Sequence, residues 1–134
     1  MDVVTHLMFQ DGRAREAADW YVSLVSGSSI ERVTDDGEGR ATVNFTLAGR
    51  PFIAFDSPVE HGFDFTPSMS ILVRCEDEEQ VRGLFEQIAA GGEVTMPLGD
   101  YGFSSSFGWA IDRYGVSWQV GVADRELASA PASS

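Results

Sequence analysis

The sequence predicts an α+β protein built from two tandem β-α-β-β-β modules. Two observations lead to this prediction. The order of an apolar strand, an amphipathic helix and three further strands occurs in residues 1–57 and again in residues 67–123. Residues 47–53 also align with residues 113–119 so that Gly49 and Gly115 coincide. Because a module of roughly 60 residues buries little surface alone, we expect the two sheets to pair around shared space.

The first module begins with a short apolar run at residues 3–9, which is typical of a buried strand. Asp11 is predicted to cap a helix that stops at Gly27. The apolar side chains of this helix recur at helical spacing, at Ala14, Ala17, Ala18, Tyr21, Val22 and Val25. Three strands are predicted to follow, at residues 30–33, 41–47 and 51–55.

The second module repeats this order. A strand at residues 69–75 precedes a helix that Asp77 caps, with Gln80 as its capping-box partner. The predicted apolar stripe of this helix is Val81, Leu84, Phe85, Ile88 and Ala89. Strands are then predicted at residues 93–96, 107–111 and 116–122. The Gly/Ser-rich loop 98–106 between two of them is either a mobile lid or a plain solvated loop.

The chain is therefore expected to form one domain over residues 1–123. Its first module spans residues 1–57, a linker covers 58–66, and the second module spans 67–123. Residues 124–134 are small and polar, and we expect a flexible tail there.

Composition and charge exclude several functional classes. The hydrophobic share of 43% and aromatic share of 11% are typical of a globular chain. The net charge of −12 and the scattered basic residues disfavour nucleic-acid binding. No run approaches the ~18 apolar residues that cross a membrane, and no signal-peptide pattern begins the chain, so we expect a cytoplasmic protein. Cys75 is the only cysteine, and we expect it to be a buried hydrophobe rather than a nucleophile.

Two segments resemble a known family. Both are similar to segments of the PhnB-like group. The first is residues 9–12 followed by Ala-Ala-Asp-Trp-Tyr at 17–21. The second, which carries most of the resemblance, is Gly-Trp-Ala-Ile-Asp-Arg-Tyr-Gly-Val-Ser-Trp-Gln at 108–119. That group is often labelled 3-demethylubiquinone-9 3-methyltransferase domain. It is part of the glyoxalase/bleomycin resistance/dioxygenase (vicinal oxygen chelate) superfamily. The resemblance covers residues 3–122 and implies a curled mixed sheet around a cleft. Superfamily members include metalloenzymes and proteins that only sequester a drug.

The resemblance also implies where a divalent metal would bind. His6 lies fifteen residues before Tyr21, as the first-strand histidine of glyoxalases lies before its helix tyrosine. The other three positions resemble Ile53, Ser70 and Gln119. Ile53 has no donor atom, and the two neutral oxygens are poor replacements for a histidine and a carboxylate. We therefore predict no cofactor and disfavour a divalent metal.

Strand alternation predicts which side chains line the cleft. If Val116, Trp118 and Val120 pack on the helices, Gln119 faces the other way. The predicted ligand-binding residues are His6, Met8, Ile53, Phe55, Ser70, Leu72 and Gln119. Within this set His6 is the candidate acid or base and Gln119 the candidate orienting group. The alternatives are that His6 is a hydrogen-bonded core histidine and that Gln119 satisfies a nearby backbone group. Trp109 and Trp118 are expected to pack in the core.

The favoured function is a metal-independent small-molecule-binding protein that sequesters, or acts weakly on, a largely apolar ligand. We expect a homodimer, with no nucleic-acid or membrane partner. The alternative is a metal-dependent lyase, isomerase or dioxygenase of glyoxalase type with a rearranged metal site. Its carboxylate would come from Asp56, Glu60, Asp64 or a partner subunit, or His61 and Glu60 would join His6.

Two further hypotheses concern other classes of protein. A structural or regulatory dimer with a filled cleft is a third possibility. Methyl transfer is disfavoured, because no glycine-rich strand-to-helix turn is present and both predicted helices begin with acidic caps.

Overall fold

The computed structural model describes residues 1–128, and the chain divides into two compact units. The first unit contains residues 1–64 and the second begins at residue 65. Each unit has four strands and one α-helix in the order β-α-β-β-β. This confirms the α+β class and the two tandem modules.

The elements of the first unit are β1 (Thr5–Phe9), α1 (Ala14–Leu24), β2 (Ser29–Asp35), β3 (Ala41–Leu47) and β4 (Arg50–Asp56). Those of the second unit are β5 (Ser70–Cys75), α2 (Glu78–Ala89), β6 (Glu93–Gly99), β7 (Phe107–Ile111) and β8 (Ser117–Val122). A 3₁₀ turn follows at Arg125–Leu127. Among residues 1–128, no helix is long and apolar enough to cross a membrane.

The two sheets have the same topology. The strand order is β1-β4-β3-β2 in the first and β5-β8-β7-β6 in the second. In both, the first and last strands of the module pair in parallel and the remaining pairs are antiparallel. Gly49 and Gly115 both adopt positive φ, +83° and +91°, in the turns before β4 and β8. The glycine alignment seen in the sequence is therefore a shared turn geometry.

Each helix packs on one face of its own sheet. In the first unit the buried face of α1 contains Ala14, Ala17, Ala18 and Tyr21, which pack against strand residues such as Phe45. In the second unit the buried face of α2 contains Val81, Leu84, Phe85 and Ile88. Both stripes match the predicted helical spacing. Val22, Val25 and Ala89, at the margins of the stripes, are only half-buried.

The start of α1 differs from the prediction. The helix begins at Ala14 after Arg13, no side chain of its own first turn caps it, and Asp11 is exposed. The carboxylate of Asp56 at the end of β4 accepts a 2.9 Å hydrogen bond from the Ala14 amide instead. Asp56 also accepts from the amide of Ala41 at 3.0 Å. Helix α1 is thus capped from a distant strand.

The start of α2 matches the prediction. Asp77 Oδ1 accepts a 2.9 Å hydrogen bond from the Gln80 amide, and the Gln80 side chain accepts from the Glu76 amide at 3.0 Å. Because the cap residues lie within one helical turn, the pattern was visible in the sequence.

The predicted linker is largely part of the first unit. The side chain of Gln10 donates a 2.7 Å hydrogen bond to the carbonyl of Phe63 and accepts one from the His61 amide. The segment 61–63 is therefore tied to the residue that follows β1.

Hydrogen bonds and an ion pair connect the loop before β7 with the start of the predicted tail. Strand β6 is longer than expected and reaches Gly99. Ser105 hydrogen bonds Asp124 through its amide and hydroxyl, and Arg125 pairs with Asp100 at 2.8 Å. Residues 124–128 thus form an anchored turn rather than the start of a flexible tail. Residues 129–134 lie outside the described part of the chain.

Candidate functional site

Each sheet has one face that carries no helix, which we call its open face. In the first sheet, strand pairing places His6 beside Ile53 and Met8 beside Phe55 on this face. The alternate residues Leu7, Phe9 and Ala54 are buried on the α1 side. The structure therefore brings together the four ligand-binding residues predicted in the first module.

His6 is not a buried core histidine. Its side chain is exposed, and its imidazole lies 5.5 Å from the Phe55 ring, centroid to centroid. No hydrogen bond holds it among residues 1–128, so both ring nitrogens are available to a ligand. This arrangement suits an acid, a base or a hydrogen-bonding group better than a structural role.

A cavity of about 230 Å³ lies at one end of the first unit. Phe55 forms part of its wall, together with Thr34, Thr42, Arg40 and Pro58. The charged groups at its rim are held by neighbours: Asp36 and Glu38 both hydrogen bond the Arg40 guanidinium at 2.7 Å. Hydrogen bonds from the Glu38 amide, and from the amide and guanidinium of Arg40, lower the pKa of the Asp36 carboxyl below its ordinary value. Sequence reasoning did not identify this cavity, because its wall combines the β2–β3 hairpin with residues around the end of β4.

In the second sheet, the open face carries the three predicted binding residues of the second module. Ser70 pairs with Ser117, and Leu72 pairs with Gln119. Leu72 is 46% exposed, whereas Ser70 and Gln119 are half-buried. Val116, Trp118 and Val120 are buried on the α2 side, as the alternation predicted.

The polar groups of this open face form one hydrogen-bonded chain. The Trp109 indole nitrogen donates to Ser117 Oγ at 2.7 Å. Ser117 Oγ lies 2.6 Å from Ser70 Oγ, and Gln119 Nε2 donates to Ser70 Oγ at 3.4 Å. Gln119 therefore bonds a side chain, not the backbone group considered from the sequence.

The prediction that Trp109 packs in the core is wrong. Trp118 is fully buried in the core as predicted, but Trp109 is half-buried and lies on the open face beside Gln119. Neither Trp109 nor Ser117 was among the predicted site residues. The alternation of β7 and β8 places both on this face and was the available signal.

The turn before β8 is organised by a buried carboxylate. Asp112 Oδ1 accepts from the amides of Tyr114 and Val116, at 2.8 and 3.0 Å, and Oδ2 accepts from the Trp118 indole at 2.7 Å. These bonds fix the register of β7 and β8, which in turn sets Trp109 beside Gln119. The acidic residue of the segment 108–119 is therefore structural.

The four positions that resemble superfamily metal ligands do not fit a metal ion. Ile53 offers no donor atom, and the oxygens of Ser70 and Gln119 are neutral. The Ser70 hydroxyl is already hydrogen bonded to Ser117 and Gln119. Asp56 cannot replace them on the open face, because its carboxylate is buried and bonds two backbone amides. Within residues 1–128, no three His, Cys, Asp or Glu side chains group as a metal site.

The thiol of Cys75 and the imidazole of His61 are the two other potentially reactive side chains considered from the sequence. Cys75 is buried, and burial together with the Asp77 carboxylate raises the pKa of its thiol, which opposes a nucleophilic role. His61 is exposed, lies 3.3 Å from Ser57 Oγ and stacks on Phe63.

Comparison with known proteins places this chain in a family. Residues 1–121 match the family model described as 3-demethylubiquinone-9 3-methyltransferase. The PhnB protein from Bacillus cereus is 43% identical, with a TM-score of 0.86 over 91% of this chain and 99% of that one. No protein with a curated function matches the sequence.

More distant structures share the fold. A glyoxalase-related enzyme from Fulvimarina pelagi is 18% identical, with a TM-score of 0.66 over 91% of this chain and 87% of that one. The fosfomycin resistance protein FosX from Listeria monocytogenes, determined with Mn(II), is 14% identical, with a TM-score of 0.62 over 91% of each chain. The chain belongs to the PhnB-like 3-demethylubiquinone-9 3-methyltransferase family, and its fold is that of the vicinal oxygen chelate superfamily.

Proposed function

We propose that this protein binds a small, largely apolar molecule on the open faces of its sheets without using a metal ion, and sequesters it or acts on it weakly. One observation carries the proposal. Where metal ligands of the second module would lie, Ser70 and Gln119 belong to a neutral chain with Ser117 and Trp109. Such a chain orients a ligand by hydrogen bonds and holds no cation.

The surroundings of these polar groups support an apolar ligand. Met8, Ile53 and Phe55 accompany His6 on the first open face, and Leu72 and Trp109 accompany Gln119 on the second. Apolar walls with a few convergent polar groups are typical of small-molecule sites. In this proposal the exposed His6 is the candidate acid or base of the first open face, and Gln119 is the orienting group of the second.

A metalloenzyme is the competing hypothesis. FosX shares the fold, but at 14% identity the likeness concerns the fold alone. A rearranged site would need the exposed Glu60 or Asp64, or a carboxylate of a partner subunit, since Asp56 bonds the backbone of α1 and β3.

Methyl transfer, which the family description names, has little support in this chain. The two helix N-termini receive carboxylates, from Asp56 for α1 and Asp77 for α2, and neither follows a glycine-rich turn of the kind that cradles a nucleotide cofactor. We therefore do not assign that reaction. We also propose a homodimer, as the resemblance to the superfamily implies, and a cytoplasmic location. Light scattering on the purified protein tests the dimer.

Elemental analysis tests the metal-free part of the proposal. Protein purified without added ions is compared with His6→Ala and with His61→Ala, which removes the other exposed histidine and candidate metal ligand. We expect substoichiometric zinc, manganese, nickel and iron in all three, and no calorimetric binding of Mn(II) or Zn(II) that depends on His6. Near one equivalent of tightly bound metal that is lost in His6→Ala would refute the proposal, and its loss in His61→Ala as well would assign His61 to the metal site.

A further inference from the structure

We propose that Ser70 determines the specificity of the second open face: its hydroxyl proton selects apolar molecules that carry a neutral hydroxyl group, such as phenols. Ser117 is the positioning residue that turns this proton outward. The inference rests on the proposed function, because it assumes that a small molecule binds on this face.

The direction of the hydrogen-bonded chain is fixed at the buried Ser117. An indole nitrogen only donates, so Ser117 Oγ accepts the 2.7 Å bond from Trp109 Nε1. Ser117 is 1% exposed, and among residues 1–128 its hydroxyl has one further partner, Ser70 Oγ at 2.6 Å. A buried hydroxyl proton is costly to leave unbonded. Ser117 therefore donates to Ser70.

Ser70 consequently becomes a donor toward a ligand. Its oxygen accepts from Ser117 and, at 3.4 Å, from Gln119 Nε2, which together occupy both acceptor positions of a hydroxyl. Its own proton has no partner among the described residues. Ser70 is half-buried on an edge strand, so this proton is accessible from the open face.

Gln119 supplies the complementary acceptor. Its Nε2 donates to Ser70, and its carbonyl Oε1 bonds nothing within the described part of the chain. A donor and an acceptor thus lie side by side. A hydroxyl group satisfies both, because it accepts from Ser70 and donates to Gln119, whereas a carboxylate has no proton to give.

The surroundings indicate the rest of the ligand. Leu72, 46% exposed, is the register partner of Gln119 on one side, and Trp109 is its partner on the other. An apolar body, flat enough to lie along the indole, fits these neighbours. The net charge of −12 further favours a neutral molecule over an anion.

The test compares two probes that differ only in the hydroxyl group, 1-naphthol and naphthalene, by titration calorimetry on the full-length protein. Wild type is expected to prefer 1-naphthol by about tenfold or more. Ser70→Ala should bring the two affinities together, whereas Ser70→Thr, which keeps the hydroxyl, should retain the preference. Naphthalene affinity should change little in either variant.

A second variant tests the positioning role separately. Ser117→Ala removes the buried donor, so the Ser70 oxygen regains a free acceptor position and its proton is no longer forced outward. The ratio of the two affinities should fall while an aromatic wall remains. An unchanged ratio in Ser70→Ala would overturn the inference and leave the proposed function standing. Failure of both probes to bind wild type would count against the proposed function itself.

Discussion

The carboxylate of Asp112 and the indole of Trp118 form a 2.7 Å hydrogen bond inside the second module. The same carboxylate accepts hydrogen bonds from the amides of Tyr114 and Val116. Asp112 therefore closes the turn before β8 and also anchors Trp118, the largest fully buried side chain among residues 1–128. Because β8 also carries Ser117 and Gln119, the geometry of the candidate site depends on a residue that faces away from it.

We predict that Asp112→Asn destabilises the protein by about 2–4 kcal/mol, since one amide oxygen replaces the two oxygens that accept from the N–H groups of Tyr114, Val116 and Trp118. Urea unfolding measures the change. Asp19→Asn, which removes an exposed ion pair with Arg15 on α1, is the control and should cost at most about 0.5 kcal/mol. Equal effects of the two substitutions would show that Asp112 does not hold the turn.

The remote cap of α1 gives a second prediction. Asp56→Ala leaves the Ala14 and Ala41 amides without their acceptor in a buried site and should cost about 2–5 kcal/mol. Asp77→Ala removes an exposed local cap of α2 and should cost about 1 kcal/mol. Thermal and chemical unfolding rank the two variants, and a larger effect at Asp77 would contradict the assigned roles.

Two glycines of the second module should respond oppositely to alanine. Gly83 lies on the exposed face of α2, and a Cβ there would meet open space. Gly83→Ala should therefore stabilise the protein by about 0.5–1 kcal/mol. At Gly108 a Cβ would lie 2.6 Å from Phe85 Cε1 and 2.9 Å from Leu98 Cδ2. Gly108→Ala should therefore destabilise it by about 1–3 kcal/mol. Stabilisation by both would mean that β7 and α2 are less closely packed than described.

The anchored C-terminal turn should loosen in acid. Hydrogen bonds from Ser105 lower the pKa of Asp124, and the Arg125 guanidinium lowers that of Asp100, both from an ordinary value of 3.8. Because the folded state favours the ionised forms, their contribution is complete above pH 3.8 and is lost as the pH falls through the lower folded-state values.

Hydrogen exchange reports this loosening. The Leu127 amide donates to the Phe103 carbonyl, so its protection factor should fall below pH 3.8 before that of the core amide of Val120. In Asp124→Asn the Leu127 amide should already be less protected at neutral pH. Constant protection of Leu127 across this range would show that the two carboxylates do not hold the turn.

Local patterns in the sequence predicted much of the fold. The cap of α2 lies within one turn, and the apolar stripes of both helices follow a fixed period, so neither needs information from elsewhere in the chain. The cap of α1 could not be predicted in the same way. Asp56 follows Ala14 by 42 residues, and only the parallel pairing of β1 with β4 brings it there.

In the candidate site, too, local patterns predicted some features, and others depended on contacts between distant strands. Strand alternation predicted the facing of His6, Met8 and Gln119, because side chains along a strand alternate strictly, whereas Ile53 and Ser70 came from the family resemblance. The bond between Ser117 and Ser70 was not predictable, since it requires the register between β5 and β8. Trp109 was assigned to the core because an aromatic residue in an apolar strand resembles a packing residue until the strand's neighbours are known.

Calorimetric titration of 1-naphthol into protein treated with EDTA, and into the same protein with added Mn(II), tests the central claim most directly. Metal-independent binding predicts one class of site with the same affinity under both conditions, together with a lower affinity in Ser70→Ala. Binding that appears only when Mn(II) is present, and that disappears in His6→Ala, would contradict this account and establish a metal-dependent site.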